Sequence, residues 1–106
     1  MAGYPVYSTR FLAEAGFTGE AAFEVPGGYV AVVRDIDAVV YTGAGYTIQA
    51  GIGGLTNFWA ITTGVVAVTD SIQWRGRQVL NAGEQLVIAT DASADFVASG
   101  YLLSLP

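Results

Sequence analysis

Residues 71–90 read Ser-Ile-Gln-Trp-Arg-Gly-Arg-Gln-Val-Leu-Asn-Ala-Gly-Glu-Gln-Leu-Val-Ile-Ala-Thr. Ile72 and Trp74 alternate with Ser71, Gln73 and Arg75, and Leu86 and Ile88 alternate with Gln85, Val87 and Ala89. Alternation at every second residue is the signature of a pleated strand with one side buried. Arg75-Gly76-Arg77 interrupts the pattern and predicts a bulge or turn. Asn81-Ala82-Gly83 is turn chemistry, with Gly83 free to take positive φ. The stretch is therefore two or three strands joined by tight turns, and Trp74 is its largest anchor.

The rest of the chain repeats this grammar. Ala21, Phe23 and Val25 share one face of a strand and Glu20, Ala22 and Glu24 the other, and Pro26-Gly27-Gly28 then makes a turn. A strand resumes at Tyr29 and continues past Arg34-Asp35 to Tyr41. Further strands are expected over 46–50, 55–62, 65–70 and 96–105, with a loop over 91–95. Phe58 and Trp59 fall on opposite faces of their strand, one in the core and one outside. The segment 9–15 reads as strand or helical turn, since so short a run carries no decisive period. About eight short antiparallel strands and no convincing amphipathic helix predict an all-β, jelly-roll-like β-sandwich over residues 9–106. An N-terminal arm is expected over residues 1–8. Pro5 blocks regular pairing there, and Tyr4 and Tyr7 either dock on a surface or belong to a frayed terminus. The units 23–30 and 78–86 echo one another as strand, glycine turn, strand, which suits a fold of two Greek-key halves.

At 106 residues the chain is one domain. Its charged fraction of 12% is about half that of ordinary soluble domains, so Ala, Gly, Thr, Ser and Val must cover much of the surface. The net charge is −5, and the four basic residues are Arg10, Arg34, Arg75 and Arg77. They do not form the basic stripe that phosphate neutralisation requires, so no nucleic-acid partner is expected. With no Cys and no His, the chain has no thiol nucleophile, no disulfide framework and no imidazole base or ligand. Without His or Lys, neither a Ser-His-Asp nor a Ser-Lys arrangement can be built. Gly43-Ala44-Gly45 and Gly51-Ile52-Gly53-Gly54 lack the Gly-Lys-Ser/Thr ending of a phosphate loop. Asp35 and Asp37 share a face of a strand, but two carboxylates alone make a poor calcium site, and Arg34 beside them is expected to form a local ion pair or turn. No enzyme activity, cofactor or metal is expected. Residues 1–5 lack the basic and apolar regions of a signal peptide, and no apolar run reaches membrane-spanning length, so no membrane partner is expected.

Interaction chemistry is the remaining content. Arg75 and Arg77 flank Gly76 and would point to the same side of one strand. They either meet a partner, such as an acidic strand carrying Glu20 or Glu24 across a subunit boundary, or form a solvated edge. Trp59 poses the same alternative. Tyr4, Tyr7, Arg34, Asp35, Trp59, Arg75 and Arg77 are therefore the interface candidates. A carbohydrate-binding module is the second class of function, with Trp59, Tyr29, Tyr41 or Tyr46 stacking on sugar rings.

Three segments carry a family resemblance: Val33-Arg34-Asp35-Ile36-Asp37-Ala38-Val39, then 74–84 with Gly76-Arg77-Gln78-Val79-Leu80-Asn81-Ala82-Gly83-Glu84, then 97–106 with Ser99-Gly100-Tyr101 and Leu105-Pro106. Their order and spacing resemble small virion proteins of tailed phages infecting actinobacteria, over about two thirds of the chain. The resemblance implies a structural component of the particle and brings no catalytic residue. Its first form is a capsid decoration, or cement, protein, binding the major capsid protein as a homo-oligomer, expected to be a trimer. The location implied is the capsid surface of a virion assembled in the host cytoplasm. A minor tail or neck protein is the alternative.

Overall fold

The computed structural model describes residues 6–41, 45–63 and 69–105. Its elements are six antiparallel strands: β1 (Val6–Glu24), β2 (Tyr29–Tyr41), β3 (Tyr46–Ile52), β4 (Thr56–Thr63), β5 (Thr69–Leu80) and β6 (Gln85–Ser104). Every other strand depends on β6, directly or at one remove. Its first part pairs with β3, from Ile52 opposite Leu86 to Ile48 opposite Thr90. Its second part pairs with β2, from Val40 opposite Ala94 to Tyr29 opposite Ser104. β1 lines the other side of β6 along nearly its whole length. β5 then adds to β2, and β4 to β3.

Two layers result. The first contains residues 6–14 of β1, residues 94–104 of β6, β2 and β5. The second contains residues 19–24 of β1, residues 85–90 of β6, β3 and β4. Eight antiparallel segments in two four-stranded layers are the plan of a jelly roll. Among the described residues six strands are present where about eight short ones are expected, because β1 and β6 each pass from one layer to the other without breaking. The loop expected over 91–95 is accordingly the corner of β6. Its two acids secure the corner: Thr47 N–H donates to Asp91 Oδ1 at 2.8 Å, and Gly16 N–H donates to Asp95 Oδ1 at 2.7 Å. The strand expected over 65–70 falls outside the described residues except for Thr69 and Asp70, which open β5.

The alternation read from the sequence is what fills the space between the layers. Val33, Ile36, Ala38 and Val40 from β2, Ile48 and Ala50 from β3, and Leu86, Ile88, Phe96 and Ala98 from β6 are all buried. Each large one stabilises the fold by about 1.5–3 kcal/mol relative to exposure. Aromatic pairs line the margins. Phe58 of β4 meets Trp74 of β5 with ring centroids 5.0 Å apart, bridging the two layers where both have their free outer strands. Phe11 and Phe23 of β1 meet at 5.1 Å, and Phe17 packs edge-on against Phe96 at 5.8 Å. Phe58 and Trp59 do not take opposite faces. The register of β3 and β4 shifts there, Ala50 pairing with Trp59 and Gly51 with Asn57, so Phe58 is an extra residue and both rings are half-buried against the core.

The two echoing turns connect the layers and lie against each other. Val25 N–H donates to the Glu84 carbonyl and Gly83 N–H to the Val25 carbonyl, both at 2.9 Å. Gly83 has φ of 84°, the left-handed conformation expected of it. Neither turn is a hairpin, since β1 pairs with β6 and β5 with β2. Most of the arm expected over residues 1–8, Tyr4 included, lies outside the described residues. Its last three residues open β1, with Tyr7 opposite Leu102 and Ser8 opposite Tyr101.

Candidate functional site

The outer face of the first layer is organised by an irregularity in β2. Val33 and Ile36 are both fully buried, with two residues between them where regular alternation allows one. The register shifts at this point against both neighbours, Val33 pairing with Gln78 and Gly100 but Asp35 with Arg75 and Ser99. Arg34 and Asp35 therefore follow one another on the outer side. Across the ladder, Gly76 and Arg77 oppose Arg34 alone, which is the bulge expected at Arg75-Gly76-Arg77.

Register then decides the ion pairing. Arg75 stands directly opposite Asp35, one strand away from Asp37 on the same face. Its Nε lies 3.2 Å from Asp35 Oδ1 and its Nη2 lies 2.8 Å from Asp37 Oδ1. The bond to Asp37 leads in holding the guanidinium above its ordinary pKa. The sequence places this role beside the aspartates, on Arg34; the structure gives it to Arg75, because a cross-strand neighbour on the same face is closer in space than a chain neighbour. All three side chains are about half accessible, at 44–50%, so the pairs fix local geometry more than they add stability.

Arg34 and Arg77 line one shallow depression with Val32, Val79, Tyr101 and Leu103. Arg34 and Tyr101 also line the adjoining one, with Arg10, Ser8, Thr9 and Ser99. Val79 and Tyr101 are exposed, at 44% and 39%. Four interface candidates, Arg34, Asp35, Arg75 and Arg77, are thus brought onto one face. Arg10 joins them through its pairing with Ser99, so every basic side chain of the protein lies on this face. Arg10, Tyr101 and Val79 are the members that sequence reasoning missed. Period two along β6 placed Tyr101 on some face, but nothing local said which strand would lie beside it.

The other candidates separate from this surface. Tyr7 is half-exposed at 50% and pairs opposite Leu102, on the other side of β6 from Tyr101. Trp59 packs against the core margin. Of the tyrosines considered for sugar stacking, Tyr46 is buried at 2% and donates from its hydroxyl to Asp70 Oδ2 at 2.6 Å. Tyr41 is exposed, but its hydroxyl is bound to Asp95 Oδ2 at 2.6 Å. That bond leads in holding Asp95 below the ordinary Asp value, with Gly16 N–H second, and raises the Tyr41 phenol.

The outer face of the second layer has the opposite character. A groove there is lined by Glu20, Gln49, Asn57, Val87 and Ala89 over the backbone of Gly51 and Gly53, and a second depression adds Thr47 and Asp91. Glu24 extends this face opposite Gln85. Among the described residues, no group of three or more acidic side chains is gathered for a metal ion.

No family model and no curated protein matches the chain. Similarity to solved structures is in fold. One is dimeric latent PorU from Porphyromonas gingivalis, at 10% identity and a TM-score of 0.52, covering 98% of this chain and 13% of that one. Others are a Clostridium stercorarium family 6 carbohydrate-binding module, CsCBM6-3, in complex with cellobiose (14% identity, TM-score 0.44, 97% and 82% covered) and a disulfide-linked pilus protein of Bacillus endospore appendages (14%, 0.43, 99% and 93%). At these identities the likeness is one of small all-β architecture.

Proposed function

We propose that the chain is a non-enzymatic structural protein of a phage virion, specifically a capsid decoration protein that binds the outer shell as an oligomer and holds neighbouring shell subunits together. The observation that carries this reading is the outer face of the first layer, where Arg10, Arg34 and Arg77 border exposed Tyr101 and Val79. Arg and Tyr are enriched where protein surfaces meet. The face is presented on a layer whose strands are fixed by a filled core, so little ordering is needed on binding. Much of the remaining polar chemistry is committed to holding the fold: Asp95 to Tyr41 and Gly16, Asp70 to Tyr46, Asp91 to Thr47. Binding the assembled shell would stabilise it by mass action. The resemblance of the segments 33–39, 74–84 and 97–106 to phage virion proteins supports the same reading.

The test is copy number in purified particles, by quantitative mass spectrometry against the major capsid protein. A ratio near that of the shell subunit supports decoration. A handful of copies moves the protein to the neck or tail, and absence from the particle ends the virion reading.

The groove over Gly51 and Gly53 favours a second reading, a carbohydrate-binding module. Glu20, Gln49 and Asn57 offer both donors and acceptors in one concave surface. A glycan array decides it: retention that Gln49→Ala abolishes supports sugar binding, and no retention removes it.

A further inference from the structure

The arginines of this protein all lie on one of its two outer faces, whereas acidic side chains occur on both. The first layer carries Arg10, Arg34, Arg75 and Arg77, with Arg75 neutralised by Asp35 and Asp37. Among the described residues, no ion pair engages Arg10, Arg34 or Arg77. The second layer's outer face carries Glu20, Glu24 and Asp91, and no arginine reaches it. A chain with a net charge of −5 has thus gathered all its positive side chains on one side of the sandwich, where Arg10, Arg34 and Arg77 form a basic end beyond Asp35, Asp37 and Asp95, and left the other side acidic.

We infer that copies of this chain associate head to tail, the arginine face of one copy seated on the acidic outer face of the next. Arg34 and Arg77 meet Glu20 and Glu24, while Tyr101, Val79, Val32 and Leu103 cover Ala22, Val87 and Ala89. The apolar contacts supply the affinity, and the charges set orientation and reject a like face. Because the two faces lie on opposite sides of the molecule, the contact is heterologous and runs on into rings or rows instead of stopping at a two-fold pair. Strand spacing and length give a face of roughly 600 Å² per copy, below the usual ~800 Å² of a stable interface. Association in dilute solution is therefore weak, and a particle surface that concentrates the copies strengthens it. This inference rests on the reading of the chain as an oligomeric structural domain and names the surfaces that meet.

The experiment is sedimentation velocity over a concentration series, with Arg34→Glu/Arg77→Glu and Glu20→Arg/Glu24→Arg as variants. All four positions are exposed, and unchanged melting temperatures establish that the variants are folded. The wild type is expected to gain mass with concentration, each variant alone to weaken association about tenfold or more, and an equimolar mixture of the two variants to recover it. A monomeric wild type at the highest concentration overturns the inference, as does either variant associating normally or a mixture that fails to recover. A monomer that is abundant in particles sinks the head-to-tail contact and leaves decoration standing. A self-associating chain absent from particles does the reverse.

Discussion

Tyr46 and Asp70 join the two layers of the sandwich by a single hydrogen bond of 2.6 Å, the phenol of β3 donating to the carboxylate of β5. The tyrosine ring is buried at 2%, so the bond lies at the rim of the core, close to the free outer strands. Burial first, and the bond to Asp70 second, push the phenol up from 10.0 to about 12. Tyr46→Phe keeps the ring and loses the bond, and is expected to cost about 1 kcal/mol in urea unfolding. A loss of several kcal/mol would mean that the bond is not the main thing the hydroxyl supplies.

The same shift sets an alkaline limit. A group whose pKa is raised on folding favours the folded state fully below its unfolded value, here about 10, and loses that contribution as pH climbs through about 12. Ultraviolet titration of tyrosinate is expected to show a late step near pH 12 in the wild type that is missing in Tyr46→Phe. A wild type in which every tyrosine ionises together at the ordinary value would contradict it.

Asp95 works in the opposite direction. Its pKa is lowered, chiefly by the Tyr41 hydroxyl and then by Gly16 N–H, so its contribution is complete above the ordinary Asp value of about 4 and is lost as pH falls through the folded value. Those two bonds tie the corner of β1 and the end of β2 to the corner of β6. Thermal unfolding from about pH 7 downward is expected to show a smaller loss in Asp95→Asn than in the wild type, with the variant already less stable at neutral pH. Parallel curves would exclude Asp95 as a source of acid lability.

Two glycines separate close approach from backbone freedom. A β-carbon at Gly100 would run into the Val32 carbonyl and lie 3.0 Å from the Arg34 nitrogen, both backbone atoms that cannot swing away. Gly100→Ala is expected to destabilise by about 3 kcal/mol and to disturb the irregularity that turns Arg34 outward. At Gly83, with φ of 84° and open space around the missing β-carbon, Ala meets only conformational strain of about 1–2 kcal/mol. Urea midpoints of the two variants in the reverse order would remove the steric account of Gly100.

Trp74→Ala tests the aromatic bridge to Phe58. Loss of a partly buried indole is expected to cost about 3 kcal/mol, whereas Trp74→Phe, which retains an aromatic partner, should cost about 1 kcal/mol. Equal losses would mean that the contact with Phe58 contributes little beyond buried area.

Period two was readable in nearly every strand because the core side of each is chosen residue by residue: Ala21, Phe23 and Val25 face in while Glu20, Ala22 and Glu24 face out. The turns at Gly28 and Gly83 were readable for a similarly local reason, since positive φ favours glycine. Continuity at the corners was not. Asp91 and Asp95 are ordinary loop residues by composition, and only their bonds to Thr47 and Gly16 turn that stretch into a bent strand. Alternation alone puts Phe58 and Trp59 on opposite faces, because an irregularity depends on the register of a neighbour that no local pattern names.

The class of this protein is legible in its residues alone: an all-β sandwich of alternating strands, without the side chains for nucleophile–base catalysis through histidine, cysteine or lysine. Those properties follow from local conformational preference and from which atoms are present. Tertiary structure decided that Arg75, and not Arg34, holds Asp35 and Asp37, that Arg10 and Tyr101 join the same face, and that Glu20 and Glu24 lie on the other layer, away from every arginine. Face membership is a pairing between strands distant in the chain, and it is set by register, which only the packed core fixes.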